Sequence, residues 1–206
     1  MNEIRTGAGR PVVSRETSER LAIYAKLVRK WSPRINLVAR STLPVLESRH
    51  IADSAQLFAL APAAASWADL GTGAGFPGLV CAILAAEDRP ATTFTLVESD
   101  QRKSAFLRTA IRETGLSVSV VTERAESLAP LASSVLSARA LADLSTLLDL
   151  TERHLAPSGT ALFPKGATWE KEVAEARARW SFSVTAHTSE THPDAVILQI
   201  GDVAHV

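Results

Sequence analysis

The chain has one cysteine in 206 residues, which excludes a disulfide framework and a cysteine-based zinc site. That residue, Cys81, stands mid-way along an apolar run and reads as core filling. No charged-then-apolar segment opens the sequence, and no apolar stretch is long enough to cross a bilayer. The expectation is a soluble, cytoplasmic protein with no membrane partner. Internal repeats and low-complexity tracts are also missing. Net charge is zero, because 22 Lys and Arg meet 22 Asp and Glu. The balance is uneven, however. Residues 1–50 hold ten basic residues, among them Lys26, Arg29, Lys30, Arg34, Arg40 and Arg49, against Glu3, Glu16, Glu19 and Glu47. That segment is +6 and the remainder −6. Such asymmetry points to an anionic partner at the N-terminal part; a solvated basic helix face is the plainer alternative.

At 46% hydrophobic the chain can bury a core, and its length fits one large domain or a domain with a small extension. The stretch around which the rest is organised is Asp69 to Gly78, Asp-Leu-Gly-Thr-Gly-Ala-Gly-Phe-Pro-Gly. Trp67–Leu70 before it reads as a short buried strand, and Leu79 to Ala86 after it is apolar all round, as in a buried helix. Strand, glycine loop and helix bring a nucleotide-like ligand against bare backbone. Glycine has no Cβ to hold the ligand off, and a helix start offers unpaired N–H groups. Pro77 suits the first helical turn, where its missing N–H costs nothing. Gly73-x-Gly75-x-x-Gly78 satisfies the dinucleotide pattern, with Glu98 at the remove that holds a ribose. Taken alone, the cluster also allows the lesser reading of a tight turn and nothing more.

The remaining pattern narrows the choice. Residues 1–13 are polar and read as loose. A helix is expected over about 14–31, with Leu21, Tyr24, Leu27, Val28 and Trp31 on one stripe and Pro33 ending it. A second helical stretch, about 42–60, has a break near Ser48-Arg49-His50. Strands are expected at 67–70, 92–97, 117–121, 135–138 and 160–163, alternating with helices over 77–86, 103–114, 141–155 and 169–179. Gly115 stands where a C-cap glycine belongs, and Pro157-Ser158-Gly159 reads as a turn. Two last strands, 180–185 and 195–200, have no helix between them. Alternation means a parallel sheet with helices on both faces. The final pair is antiparallel, unlike a plain dinucleotide domain, and no second domain remains to hold an oxidoreductase substrate.

Several separate pieces then carry a resemblance. They are Trp31 with Asn36-Leu37; Arg49-His50-Ile51-Ala52-Asp53-Ser54; Asp69 to Gly78 with its Phe-Pro-Gly end; Glu98-Ser99; Arg102-Lys103 followed by Phe106-Leu107; Ala125-Glu126; Ser137-Ala138-Arg139-Ala140; and Lys165-Gly166. In this order they resemble the bacterial 16S rRNA guanine-N7 methyltransferase family (RsmG, also called GidB), within the class I S-adenosylmethionine-dependent methyltransferases. Ser32 and Val38 depart from the family's usual Asn and Thr, and Glu98 from its usual Asp.

The resemblance implies a Rossmann-like α/β fold. Its seven-stranded, mostly parallel sheet ends in an antiparallel pair, with residues 1–64 as a helical extension and 65–206 as the core. It also implies S-adenosylmethionine as cofactor and 16S rRNA in the small ribosomal subunit as partner; a monomer is the working expectation. Gly71, Gly73, Gly75, Phe76, Glu98, Ala125, Glu126 and Arg139 are its cofactor contacts. Glu98 would take two ribose hydroxyls, or else cap the next helix. Asp69 would support the loop or reach the cofactor's amino group. Arg139 is the candidate catalytic residue, toward a cofactor carboxylate, an RNA phosphate or guanine O6. Lys26, Arg29, Lys30, Arg34, Arg49, His50 and Lys165 are candidate RNA contacts, with Arg102, Lys103, Arg108 and Arg112 as extensions. His50 reads equally as a core histidine tied to Asp53. His154, His187, His192 and His205 show no ligand spacing, so no metal is expected.

Transfer to guanine N7 attacks with a ring lone pair that carries no proton, so no general base is needed and none stands out. Alignment and electrostatics must do the catalysis. Amine methylation would want an Asn/Asp-Pro-Pro-aromatic run where Ser137-Ala138-Arg139-Ala140 stands. Cytosine C5 methylation would want a cysteine nucleophile there, and Cys81 is elsewhere. The alternatives are a methyltransferase of another RNA or a small molecule, an NAD(P)-dependent oxidoreductase, and, more distantly, a non-enzymatic binding module.

Overall fold

A computed structural model describes residues 13–206. The expectation of a loose start therefore falls, apart from Val13, outside the described residues; Val13 itself packs against the core. Helix α1 (Arg15–Ile35) starts at Ser14, whose hydroxyl accepts from Thr17 N, and ends at Asn36 in the left-handed region. It runs past Pro33, which falls in the last turn and forfeits only one backbone donor there. The break expected near Ser48-Arg49-His50 is a change of helix type and not an interruption. Arg40–Val45 is a 3₁₀ segment and Glu47–Ile51 a π-helical turn, before α2 (Ala52–Leu60).

The sheet follows: β1 (Ser66–Leu70), α3 (Gly78–Asp88), β2 (Thr93–Val97), α4 (Gln101–Thr114), β3 (Val118–Val121), β4 (Ser133–Ala138), α5 (Leu144–His154), β5 (Leu155–Lys165), α6 (Trp169–Ala176), β6 (Trp180–Thr188) and β7 (Val196–His205). Strand order is β3-β2-β1-β4-β5-β7-β6. The first five strands are parallel; β7 runs antiparallel to both β5 and β6. Two differences from expectation concern the last strands. β5 begins at Leu155 and takes in Pro157-Ser158-Gly159, where its register against β4 shifts between Ser133 and Val135. The last strand extends to His205, past a left-handed Asp202, because the ladder with β6 continues through a register shift.

Side chains alternate across the sheet. Trp67, Val135, Leu162 and Ile197 enter one cluster with α1 to α4. Ala68, Leu136, Ala161 and Leu198 enter the other with α5 and α6. Helix α3 is buried from Gly78 to Ala85 because β1 and β2 lie under it while α1 and α2 pack on it. The N-terminal helices therefore lie on the helix that follows the glycine loop. Asp100 caps α4 by accepting from Arg102 N and Lys103 N, Gly115 closes it in the left-handed region, and Asp143 caps α5.

Candidate active site

The loop after β1 is held from several sides. Gly71, Gly73 and Gly75 all have positive φ. Gly75 is at +97°, and a Cβ there would lie 2.9 Å from Leu79 Cβ and 3.0 Å from the Tyr24 hydroxyl, so only glycine fits. Gly73 differs: a Cβ there would meet nothing nearer than Gly71 O at 3.9 Å. This is the bare face of the loop, where a ligand can approach backbone.

Beneath the loop, Asp69 is fully buried. It accepts Gly78 N at 2.9 Å and the Ser137 hydroxyl at 2.6 Å, and Ser137 in turn accepts Trp67 Nε1 at 2.9 Å. Burial raises the Asp69 carboxyl to about 6, and the bonds from Ser137 and Gly78 oppose the rise. Of the two roles open to it, the structure gives Asp69 support of the turn. The phenol of Tyr24, from α1, donates to Ala74 O at 2.7 Å.

Glu98 follows β2 and is 7% exposed. One carboxylate oxygen accepts Gly73 N at 2.9 Å, the other Asp100 N at 2.8 Å. It is not a solvated helix cap; Asp100 performs that function. Each Glu98 oxygen keeps a further lone pair, which suits a pair of ribose hydroxyls. Ala125 is buried in the connection after β3, its carbonyl held by the buried His154 Nε2 at 2.9 Å, and Glu126 beside it is exposed. An open glycine, a carboxylate and a pinned backbone segment at the ends of β1, β2 and β3 fit a nucleoside-bearing cofactor.

Arg139 follows β4. Its guanidinium lies 3.7 Å from Asp53 and 5.2 Å from the Phe76 ring centre. Burial pulls its pKa down and Asp53 opposes that, so it stays a cation. His50 stacks on the same Phe76 ring at 5.1 Å, with Nε2 2.9 Å from the Thr42 hydroxyl. Burial, then Arg139 and Arg49, lower His50 to about 4. At neutral pH it is uncharged and has no cation to offer a phosphate; its partner is Thr42, not the expected Asp53.

Asp53 accepts the hydroxyl of Thr191, in the β6–β7 connection. Gln56, one turn along α2, accepts Glu190 N at 2.7 Å and donates to Thr191 at 3.4 Å. Between these elements and the end of β5 lies a cleft of about 130 Å³, whose lining includes Arg49, Asp53, Pro164, Gly166, His192 and Val196.

The family model for rRNA small subunit methyltransferase G (GidB) matches residues 17–196. The chain belongs to this family. Its relatives include a ribosomal RNA small subunit methyltransferase G from Ruegeria pomeroyi, 59% identical over 94% of this chain and 95% of that protein. Another from Ruegeria sp. strain TM1040 is 55% identical with the same coverage. The fold is similar to that of a TehB-like SAM-dependent methyltransferase from Corynebacterium glutamicum, with a TM-score of 0.58, 14% identity, and 88% of this chain and 98% of that one covered.

For this methyltransferase G family member, the candidate RNA residues are dispersed. Lys26, Lys30 and Arg34 are exposed at four-residue steps along α1, and Lys30 and Arg34 flank Trp31 and Ile35 in a groove of about 220 Å³. Arg29 instead pairs with Glu47 at 2.6 Å. Arg49 reaches the cleft beside Asp53. Lys165 ends β5 as expected, but its side chain is 9% exposed and its ammonium is engaged by Ala142 O at 3.0 Å and Glu172 at 2.8 Å. It ties the segment before α5 to α6. Arg102 pairs with Asp100, Arg108 holds Val120 O and Thr122, and Arg112 pairs with Glu113. The sequence assigned no part in the site to Tyr24, Ser137 or His154, which it placed only on a helix stripe, in a motif and among the histidines, and it passed over Thr191. A signal existed for Tyr24, the only tyrosine in the chain, since a buried phenol needs a partner.

Proposed function

We propose that the protein transfers a methyl group from S-adenosylmethionine to N7 of a guanine in 16S rRNA, presented within the small ribosomal subunit. Membership of the methyltransferase G family across residues 17–196 carries this reading. The chemistry around the glycine loop supports it. The open backbone at Gly73, the Glu98 carboxylate and the pinned Ala125-Glu126 segment suit the cofactor's nucleoside part, with Gly71, Gly75, Phe76 and Arg139 completing the surround.

When bound, the cofactor supplies a methyl group on a sulfonium, which is already electrophilic. The protein has no proton to remove from N7. Its work is to hold the base edge and the cofactor in line and to exclude water. Fixed dipoles meet the positive charge that moves from sulfur to base, and the Arg139 cation has a binding part only. Lys26, Lys30, Arg34 and Arg49 are the proposed phosphate contacts, since their ammonium and guanidinium groups lie on α1 and at the cleft.

The test is transfer of labelled methyl from S-adenosylmethionine to unmethylated small subunits, with the product nucleoside identified. Label in N7-methylguanosine, lost on Gly73→Val or Glu98→Ala, is expected. Cofactor binding with label absent from the RNA would remove the substrate and leave a small-molecule or other-RNA methyltransferase.

A further inference from the structure

We propose that the cleft between α2, the end of β5 and the β6–β7 connection receives the acceptor guanine, and that Asp53 reads that base's Watson–Crick edge. This rests on the guanine reading above. The cleft lies at the C-terminal edge of the sheet, one ion pair from the residue after β4, because Asp53 on its wall meets Arg139. Its walls are of two kinds. Leu57, Pro164, Val196 and Ile197 offer apolar surface to the faces of a flat ring, and Asp53 stands among them as a carboxylate. A flipped base is held in this manner, stacked on apolar atoms and identified at its edge. Arg49 and His192 also line the cleft, suited to flanking phosphates.

The edge chemistry selects guanine. An ionised carboxylate only accepts hydrogen bonds, at about four lone-pair positions. In Asp53, Oδ1 takes the Thr191 hydroxyl and Oδ2 faces Arg139, which leaves lone pairs on both oxygens. Guanine alone among the four bases presents two adjacent donors, N1–H and N2–H, beside an acceptor, O6. Asp53 matches the donors, and the neighbouring Arg139 guanidinium matches O6 with one N–H. N7 lies on the opposite side of the purine from N2, so this grip leaves it bare. Adenine would set its amino group against Arg139 and its N1 lone pair against Asp53.

The experiment compares small subunits reconstituted with guanosine or with inosine at the methylated position. Inosine keeps N1–H, O6 and N7 and lacks only the N2 amino group. Wild-type protein is expected to favour guanosine by about ten- to a hundredfold in kcat/KM. Asp53→Asn should lower the guanosine value by a similar factor and bring the two substrates within about threefold of each other. Asp53→Glu, which keeps both acceptors, should restore the preference at a reduced rate, and Thr191→Val should retain the ratio. Equal use of the two substrates by wild type, or an unchanged ratio in Asp53→Asn, overturns the assignment of Asp53. No methyl in any guanine from wild type would instead overturn the proposed function. Should Asp53→Asn fail to fold, the Asp53→Glu ratio decides: preference retained supports the reading, and preference lost refutes it.

Discussion

Replacing Asp69 by Asn tests whether a buried charge lies under the glycine loop. Asp69 is fully buried, and its carboxyl is raised to about 6 from an ordinary value of 3.8. A group whose pKa is raised by folding favours the folded state at low pH. That contribution is complete below the unfolded value and is lost as pH rises through the folded one. The shift is about two units, or roughly 3 kcal/mol in full at about 1.4 kcal/mol per unit. Between about pH 4.5 and about pH 7.5 some 2 kcal/mol of it is lost, mostly below pH 6. Asn cannot ionise. It can accept from Gly78 N and donate to Ser137, whose hydroxyl already accepts from Trp67. Whatever constant offset the substitution carries, it drops out of the pH dependence. Urea unfolding of both proteins across this range should show the variant gaining about 2 kcal/mol on wild type as pH rises. A difference that stays flat would mean that the donors balance the burial penalty of the carboxylate, and one that moves the other way that they exceed it.

Three further outcomes follow from the geometry. Gly75→Ala should cost about 2–4 kcal/mol in chemical unfolding, since a Cβ at φ +97° would sit 2.9 Å from Leu79 Cβ. Glu98→Gln leaves one acceptor for the two backbone donors Gly73 N and Asp100 N, and should weaken S-adenosylmethionine about tenfold or more by calorimetry. An unchanged affinity would remove Glu98 from the cofactor site. Reversing Lys30 and Arg34 to Glu should weaken small-subunit binding and flatten its salt dependence, by about one unit of slope for each phosphate no longer neutralised, while cofactor affinity holds.

The parts of the site that were legible in the sequence are local in the chain. Glycines at Gly71, Gly73 and Gly75 are demanded by backbone shape, and the strand and helix around them follow from hydrophobic periodicity. Capping groups such as Ser14, Asp143 and Gly115 act within a few residues, so the element ends they set lie near where the pattern puts them. What was missed is non-local. No local signal tells that β7 inserts between β5 and β6, because strand order is decided by partners far along the chain. The charge state of His50 depends on its burial and then on Arg139, and the fate of Lys165 on Glu172 in α6. A basic residue in a motif reads as available until its neighbours are known. The continuation of α1 for two residues past Pro33 has the same origin, since packing of the helix on α3 and α4 outweighs one missing donor.

The glycine loop has its latches scattered through the chain. Tyr24 reaches it from the first helix, Glu98 from the end of the second strand, and Asp69 is steadied by Ser137 in the fourth. During synthesis the full set of latches is present only once Ser137 has left the ribosome, long after Gly78. The cofactor binding proposed for the loop thus draws on residues from the first helix to the fourth strand.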